Sequence, residues 1–226
     1  MIKIFDWARS RGVASFVAVF AAIFLSACAS TPTERFFTLD TTPNIAIASS
    51  IAGANAGANT NTASPSNPLA LNLIINRITL PEAVDRPQFV LQVGQNQVQL
   101  DEQHRWAESL RQAIPRIIAS DLRQHFQIAR IAVAGDSSSS TTPDLLLVMD
   151  VLRFESRLGE GVRLEVHWQL RNATGNARNV VADSVTDLRE NTTGAGHDAL
   201  VSAHRKALAT FAKTIADRIA ASPRQP

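Results

Sequence analysis

Val162, Leu164, Val166, Trp168 and Leu170 alternate with Arg163, Glu165, His167, Gln169 and Arg171, the cleanest pattern in the chain. A period of two with one apolar and one polar row predicts a strand with one face on a core and the other in water. Residues 145–154 are β-rich and apolar on both sides in their first half, which predicts a central strand. Shorter strands are expected at 71–79, 88–93, 97–100, 128–133 and 179–188, with Phe36-Phe37-Thr38-Leu39 a further β-prone patch. Gly94-Gln95-Asn96 is a hairpin signal, and Thr174-Gly175-Asn176 makes the turn into 179–188. A break with two prolines is expected at 81–87, and a serine-rich loop at 135–143.

Two stretches carry the other period. Asp101 is a good N-cap for a helix over 102–126, whose Trp106, Leu110, Ala113, Ile114, Ile117, Ile118 and Leu122 fall at steps of three and four. Pro115 lies inside that face, where its missing donor predicts a kink. A second helix is expected over 198–221, with Leu200, Ala207, Leu208, Phe211, Ile215 and Ile219 on one stripe and Ser222-Pro223 as its stop. The order predicts an α+β fold: a largely antiparallel sheet with two helices packed on one face, a two-layer sandwich.

Charge changes the picture at the N-terminus. The net charge is +2. That excess sits in residues 1–27, where Lys3, Arg9 and Arg11 face only Asp6. The remainder balances to zero, so no electrostatic case for nucleic acid remains. The basic residues precede the apolar run from Val13 to Leu25, which reads as a secretory signal and is shorter than the ~20 residues a spanning helix needs. The run ends in Leu25-Ser26-Ala27-Cys28, which resembles the lipobox of bacterial lipoproteins, and Cys28 is the one cysteine of the chain. The resemblance implies a signal peptide over 1–27, cut before Cys28, whose thiol carries a diacylglycerol and whose amine carries an acyl chain such as palmitate. Two or more chains hold a protein stably on a bilayer, where one does so only marginally. Ala29, in place of the aspartate that commonly retains lipoproteins at the inner membrane, implies an outer-membrane address facing the periplasm.

Residues 41–68 are Ala, Asn, Thr, Ser, Gly and Pro with three isoleucines and no charge. Such a stretch buries too little to offset its ordering entropy and is expected to be disordered. It is either a tether or an insertion between strands. Two adjacent phenylalanines left on a tether would be wasteful, which favours the insertion. The expected organisation is therefore a signal peptide over 1–27, a lipidated tether over 28–35, and a single domain over 36–226 with a disordered insertion at 41–68.

Catalytic signatures are missing. There is no Gly-x-Ser-x-Gly elbow and no phosphate-binding glycine motif, and a flexible loop explains Ser137–Ser140 better than catalysis. Gly194-Ala195-Gly196 reads as a strand-ending turn. Of five histidines, none pairs with a carboxylate at ligand spacing; His104 with Asp101 and Glu102 comes nearest, and His197 with His204 lacks a third ligand. No enzyme, no metal and no cofactor beyond the acyl groups on Cys28 is expected.

Three segments carry a resemblance: Phe36-Phe37-Thr38-Leu39, Leu80-Pro81-Glu82-Ala83-Val84-Asp85-Arg86-Pro87-Gln88 and Arg105-Trp106-Ala107-Glu108-Ser109-Leu110. In that order and spacing the chain resembles the PqiC-like family of auxiliary lipoproteins, the ABC-type transport auxiliary components or membrane-integrity-associated transporter subunits. It departs from them in the length of 41–68 and in Ser109-Leu110, where the family often has Pro-Leu. The resemblance places Phe36–Leu39 in the sheet and Trp106-Ala107-Glu108 at the head of the first helix. It implies a non-enzymatic subunit of an intermembrane lipid transport system. Its partners would be a periplasmic protein with mammalian-cell-entry domains and an inner-membrane permease, and a homo-oligomer is compatible with it. The competing reading is an outer-membrane assembly or envelope-scaffold lipoprotein. Candidate partner-binding residues are Pro81, Asp85, Arg86 and Gln88, where prolines pre-order a loop, with Arg105, Trp106 and Glu108 beside it. Each has a plainer reading: Trp106 as core, Asp85 and Arg86 as a pair capping a turn, Arg105 and Glu108 as solvated charges.

Overall fold

Alternation along the chain becomes strands, and the three-to-four periods become helices, in a computed structural model that describes residues 33–39, 71–76, 78–126, 130–135, 142–173 and 180–222. The elements are β1 (Arg35–Phe37), β2 (Asn72–Ile75), β3 (Gln88–Gln92), β4 (Val98–Trp106), α1 (Leu110–His125), β5 (Arg130–Val133), β6 (Leu145–Arg157), β7 (Gly161–Asn172), β8 (Val180–Asn191) and α2 (His197–Ala221). Expectations for Cys28, residues 41–68, Ser137–Ser140 and the 174–176 turn lie outside the described residues.

The long strand β6 is the spine. Its whole length pairs antiparallel with β7, and β7 pairs antiparallel with β8. Its other edge takes two short strands end to end. β2 lies beside Leu145, Leu146 and Leu147, Thr79 bridges to Asp150, and Leu91 of β3 sits beside Ser156, all parallel. β5 extends the first arm, parallel to β2; β4 and then β1 extend the second, antiparallel and parallel respectively. The α+β class stands, but the sheet is mixed: the antiparallel pairs all join strands that follow one another in the chain. Strands reached through a crossover, such as β2 to β5 by way of α1, return parallel.

The two helices pack on each other, α2 also on β7 and β8 and α1 on β5. Beneath them Val162, Leu164, Val166, Trp168 and Leu170 are buried. On the opposite face the polar row of β7 forms a ladder with its neighbours. Arg153 meets Glu165 and Arg163 meets Asp187, both at 2.9 Å, and His167 meets Asp183 at 2.7 Å. Such exposed pairs are worth roughly 0–1 kcal/mol each and serve solubility more than stability. No helix among the described residues is long and apolar enough to cross a membrane.

One element departs from expectation. Residues 98–106 are strand and α1 begins only at Leu110, with Ser109 as its N-cap. Asp101 does cap backbone donors, accepting from the N–H of Gln103 (3.0 Å) and of His104 (3.2 Å), as an N-cap would. The chain uses that turn as a bulge: the register with β3 jumps from Phe89–Asp101 to Gln88–Arg105. The bulge resets the facing, so Val98 and Leu100 point out while Trp106 points in. Pro115 is buried inside α1, which is continuous through it. Phe36 and Phe37 lie in the sheet as expected, on β1 beside β4.

Candidate functional site

Loop 81–88 joins β2 to β3 along the edge of α1. Pro81 O accepts from the N–H of Val84 (3.0 Å) and of Asp85 (3.2 Å), closing a turn that buries Val84. The Asp85 carboxylate takes Arg111 on the first turn of α1 as its ion-pair partner, and not Arg86, so the expected Asp85–Arg86 pair is corrected. Chain geometry explains this, since neighbouring residues of a tight turn point apart while α1 presents Arg111 across the gap. The buried Nε of Arg86 has no hydrogen-bond partner among the described residues.

The other candidates gather partly around that loop. Arg105 is the register partner of Gln88, whose Nε2 donates to Glu102 (3.2 Å). Arg105 itself pairs with Glu34 at 3.0 Å. The Trp106 N–H donates to Pro87 O at 2.7 Å. Its ring, 6% exposed, stacks on Phe89 with centroids 4.1 Å apart. Trp106 is therefore core, the anchor on which the loop rests and not a contact surface. Glu108 turns away to a two-pronged pair with Arg116 (2.8 and 2.6 Å). Neither Arg105 nor Trp106 lies on a helix, because β4 continues through both. The exposed part of the site is thus Glu82, Ala83 and Pro87, with half-buried Pro81, Asp85, Arg86 and Gln88 behind them.

Below the loop a small pocket, with room for no more than a water-sized group, is lined by Val84, Gln88, Phe89, Trp106, Phe154 and Ser156. Ser156 and His204 meet at its floor, Oγ to Nε2 at 2.7 Å, and the imidazole stacks on Phe154 with centroids 3.9 Å apart. Complete burial pushes His204 down to about 3. It is neutral and shares this one hydrogen bond with the serine hydroxyl. A hydrolytic triad needs a third group orienting the histidine. The His204 Nδ1 has no partner among the described residues.

A second cluster was legible in the sequence only as its Asp101–His104 half. Asp101, His104 and the first residue of α2, His197, converge beside Phe37 and Phe89. Asp101 Oδ2 lies 2.9 Å from His104 Nδ1 and 3.0 Å from His197 Nε2, the latter out of hydrogen-bond alignment. The two imidazoles stack with centroids 3.7 Å apart and planes 6° from parallel. Burial opposes ionisation of Asp101, but the His104 hydrogen bond and the Gln103 N–H together hold its carboxyl below the usual range. Burial pushes His197 down, and the neighbouring His104 pushes it the same way. The donor set is of the metal-binding kind, but an ion is bound in the plane of each imidazole. Two parallel planes offset by a stacking distance share no such point. As arranged, the cluster is a clamp fastening β4 to the start of α2. His197 lies ninety-three residues beyond His104 in the chain, which is why no spacing joined it to the Asp101–His104 pair.

The helices have a clamp of their own. Arg205 on α2 grips Asp121 on α1 with both terminal nitrogens, one contact at 2.6 Å, and Asp121 is buried.

Fold and site together define a small α+β module whose polar clusters are clamps and whose conspicuous surface feature is a braced, proline-flanked loop. Solved structures share this fold. One uncharacterized protein is 18% identical with a TM-score of 0.59, covering 66% of this chain and 92% of that one. Protein XCC0632 of Xanthomonas campestris is 17% identical with a TM-score of 0.56, covering 68% and 86%. Comparison with the curated proteins gave no match. The model of the ABC-type transport auxiliary lipoprotein component family matches residues 54–216, and the chain belongs to that family.

Proposed function

We propose that the chain is an outer-membrane-anchored periplasmic lipoprotein, a non-enzymatic auxiliary subunit of an intermembrane lipid transport system. In this role it docks a periplasmic protein with mammalian-cell-entry domains, and an inner-membrane permease completes the path. The observation that carries the reading is family membership across 54–216. Supporting it are the lipobox ending at Cys28 with Ala29 behind it, and a loop whose preformed turn lowers the entropy lost on docking. Within that loop Arg86 supplies a charge-assisted contact, and Glu82 stands exposed beside it.

Affinity purification from detergent-solubilised envelopes tests this reading. The expected co-purifying proteins are one with mammalian-cell-entry domains and a permease. Recovery of outer-membrane assembly factors in their place overturns it in favour of an envelope scaffold. Arg86→Asp should lower the yield of the partner at unchanged melting temperature. In the exchange Asp85→Arg with Arg111→Asp the loop's brace survives with its charges swapped, so folding should hold.

A further inference from the structure

The end of the sheet that carries the β3–β4 hairpin also carries an apolar rim. Val93 and Val98 at the hairpin and Leu158 in the β6–β7 turn are each about half exposed. The register brings them together: Gln92 faces Val98, and Leu91 lies beside Ser156, two residues before Leu158. Leu100 is partly exposed on the outer face behind Val98, and Phe36, 62% exposed, stands apart from this rim beside Arg105. From Gln88 to Leu100 the chain holds no charged residue, and Arg157 and Glu160 beside the turn cancel. Isolated exposed apolar residues are ordinary; a contiguous uncharged group at one end marks a contact surface.

The chain's own direction says what that contact is. β1 is parallel to β4, with Arg35 beside His104, so the chain enters the domain from the hairpin end. Seven residue steps lead from Cys28 to Arg35, a reach of at most ~25 Å. The hairpin projects past Arg35 by three to five residue steps, roughly 10–17 Å at strand rise. A lipid on Cys28 therefore leaves the hairpin tip within reach of the bilayer and on the side facing it.

We propose that the β3–β4 hairpin and the β6–β7 turn form a membrane-facing tip, with Val93, Val98 and Leu158 seated in the headgroup region of the anchoring bilayer. This rests on the lipid-anchor reading of Cys28. The seat would fix the domain's orientation, so that the side of the molecule bearing loop 81–88 is presented at a constant height.

Acylated Cys28 leaves no other thiol in the chain, so Val93→Cys can be labelled alone with an environment-sensitive fluorophore. The full lipidated protein is placed in phosphatidylethanolamine–phosphatidylglycerol vesicles containing a headgroup-level spin-label quencher. Ser222→Cys, past the far end of α2, is the comparison. The expected result is a blue shift and at least twofold quenching at position 93, with Ser222 unaffected, and loss of both when Val98 and Leu158 become Glu. An unshifted, unquenched label on protein that floats with the vesicles overturns the tip and leaves the anchor standing. A label already blue-shifted without vesicles, and indifferent to them, overturns it too, showing the tip covered by residues 41–68 or a second copy. Protein that does not float refutes the anchor reading, and the tip proposal falls with it.

Discussion

His204 is a base kept neutral by burial, and that has a pH signature. In the unfolded chain it takes its proton near 6.5, in the fold at about 3. Between those values the unfolded state binds more protons, so stability is complete above about pH 6.5 and falls as the pH drops toward 3. The slope approaches about 1.4 kcal/mol per pH unit in that window. His197, lowered by its own burial, adds to the same trend. His204→Gln should flatten the decline of melting temperature between pH 6.5 and 4 by about one proton's worth, even if its absolute stability is lower. An unchanged slope would mean that His204 is not held neutral. The Asp121–Arg205 clamp gives the second residue-scale expectation. Asp121→Ala takes the carboxylate from a largely buried guanidinium, and breaking such a pair costs about 3–5 kcal/mol. Urea unfolding measures it; a loss below about 1 kcal/mol would make the clamp energetically idle.

Among the elements, β7 was legible because its row of side chains keeps one face buried over its full length, so period two survives in the sequence. α2 was legible for the corresponding reason at period 3.6. β4 was not. Its bulge at Asp101 swaps inside and outside midway, and the capping chemistry of the aspartate imitates a helix start. The parallel seating of β2 and β3 on β6 also escaped, because strand direction follows from crossovers that no local pattern records. The candidate site divides likewise: loop 81–88 was marked by its prolines, while Arg111 as the partner of Asp85 comes from packing α1 against it. One element-scale test uses the β7–β8 pairing. A Cβ on Gly161 would lie 2.4 Å from the Glu190 carbonyl oxygen, whereas one on Gly194 meets only the Ala199 methyl at 3.6 Å. Gly161→Ala should cost about 1–3 kcal/mol by overpacking, and Gly194→Ala little. Equal thermal shifts for the two variants would contradict the close approach of β7 and β8.

At the scale of the whole molecule, residues from Glu34 onward group as one unit, and its family places it in a transport assembly. Replacing residues 41–68 with a short Gly/Ser link should leave the melting temperature within a few degrees, since that stretch holds no aromatic and no charge. A large fall would show that it packs. Cys28→Ala should release the protein from the outer-membrane fraction after a salt wash, and retention would place the anchor elsewhere. The docking role itself is tested most directly by a photo-crosslinking side chain at exposed Glu82 in intact envelopes, compared with one at exposed Asp183 on the polar sheet face. The expected result is an adduct with a protein bearing mammalian-cell-entry domains from position 82 and none from position 183. No such adduct from position 82, or the same adduct from both, would contradict docking through loop 81–88.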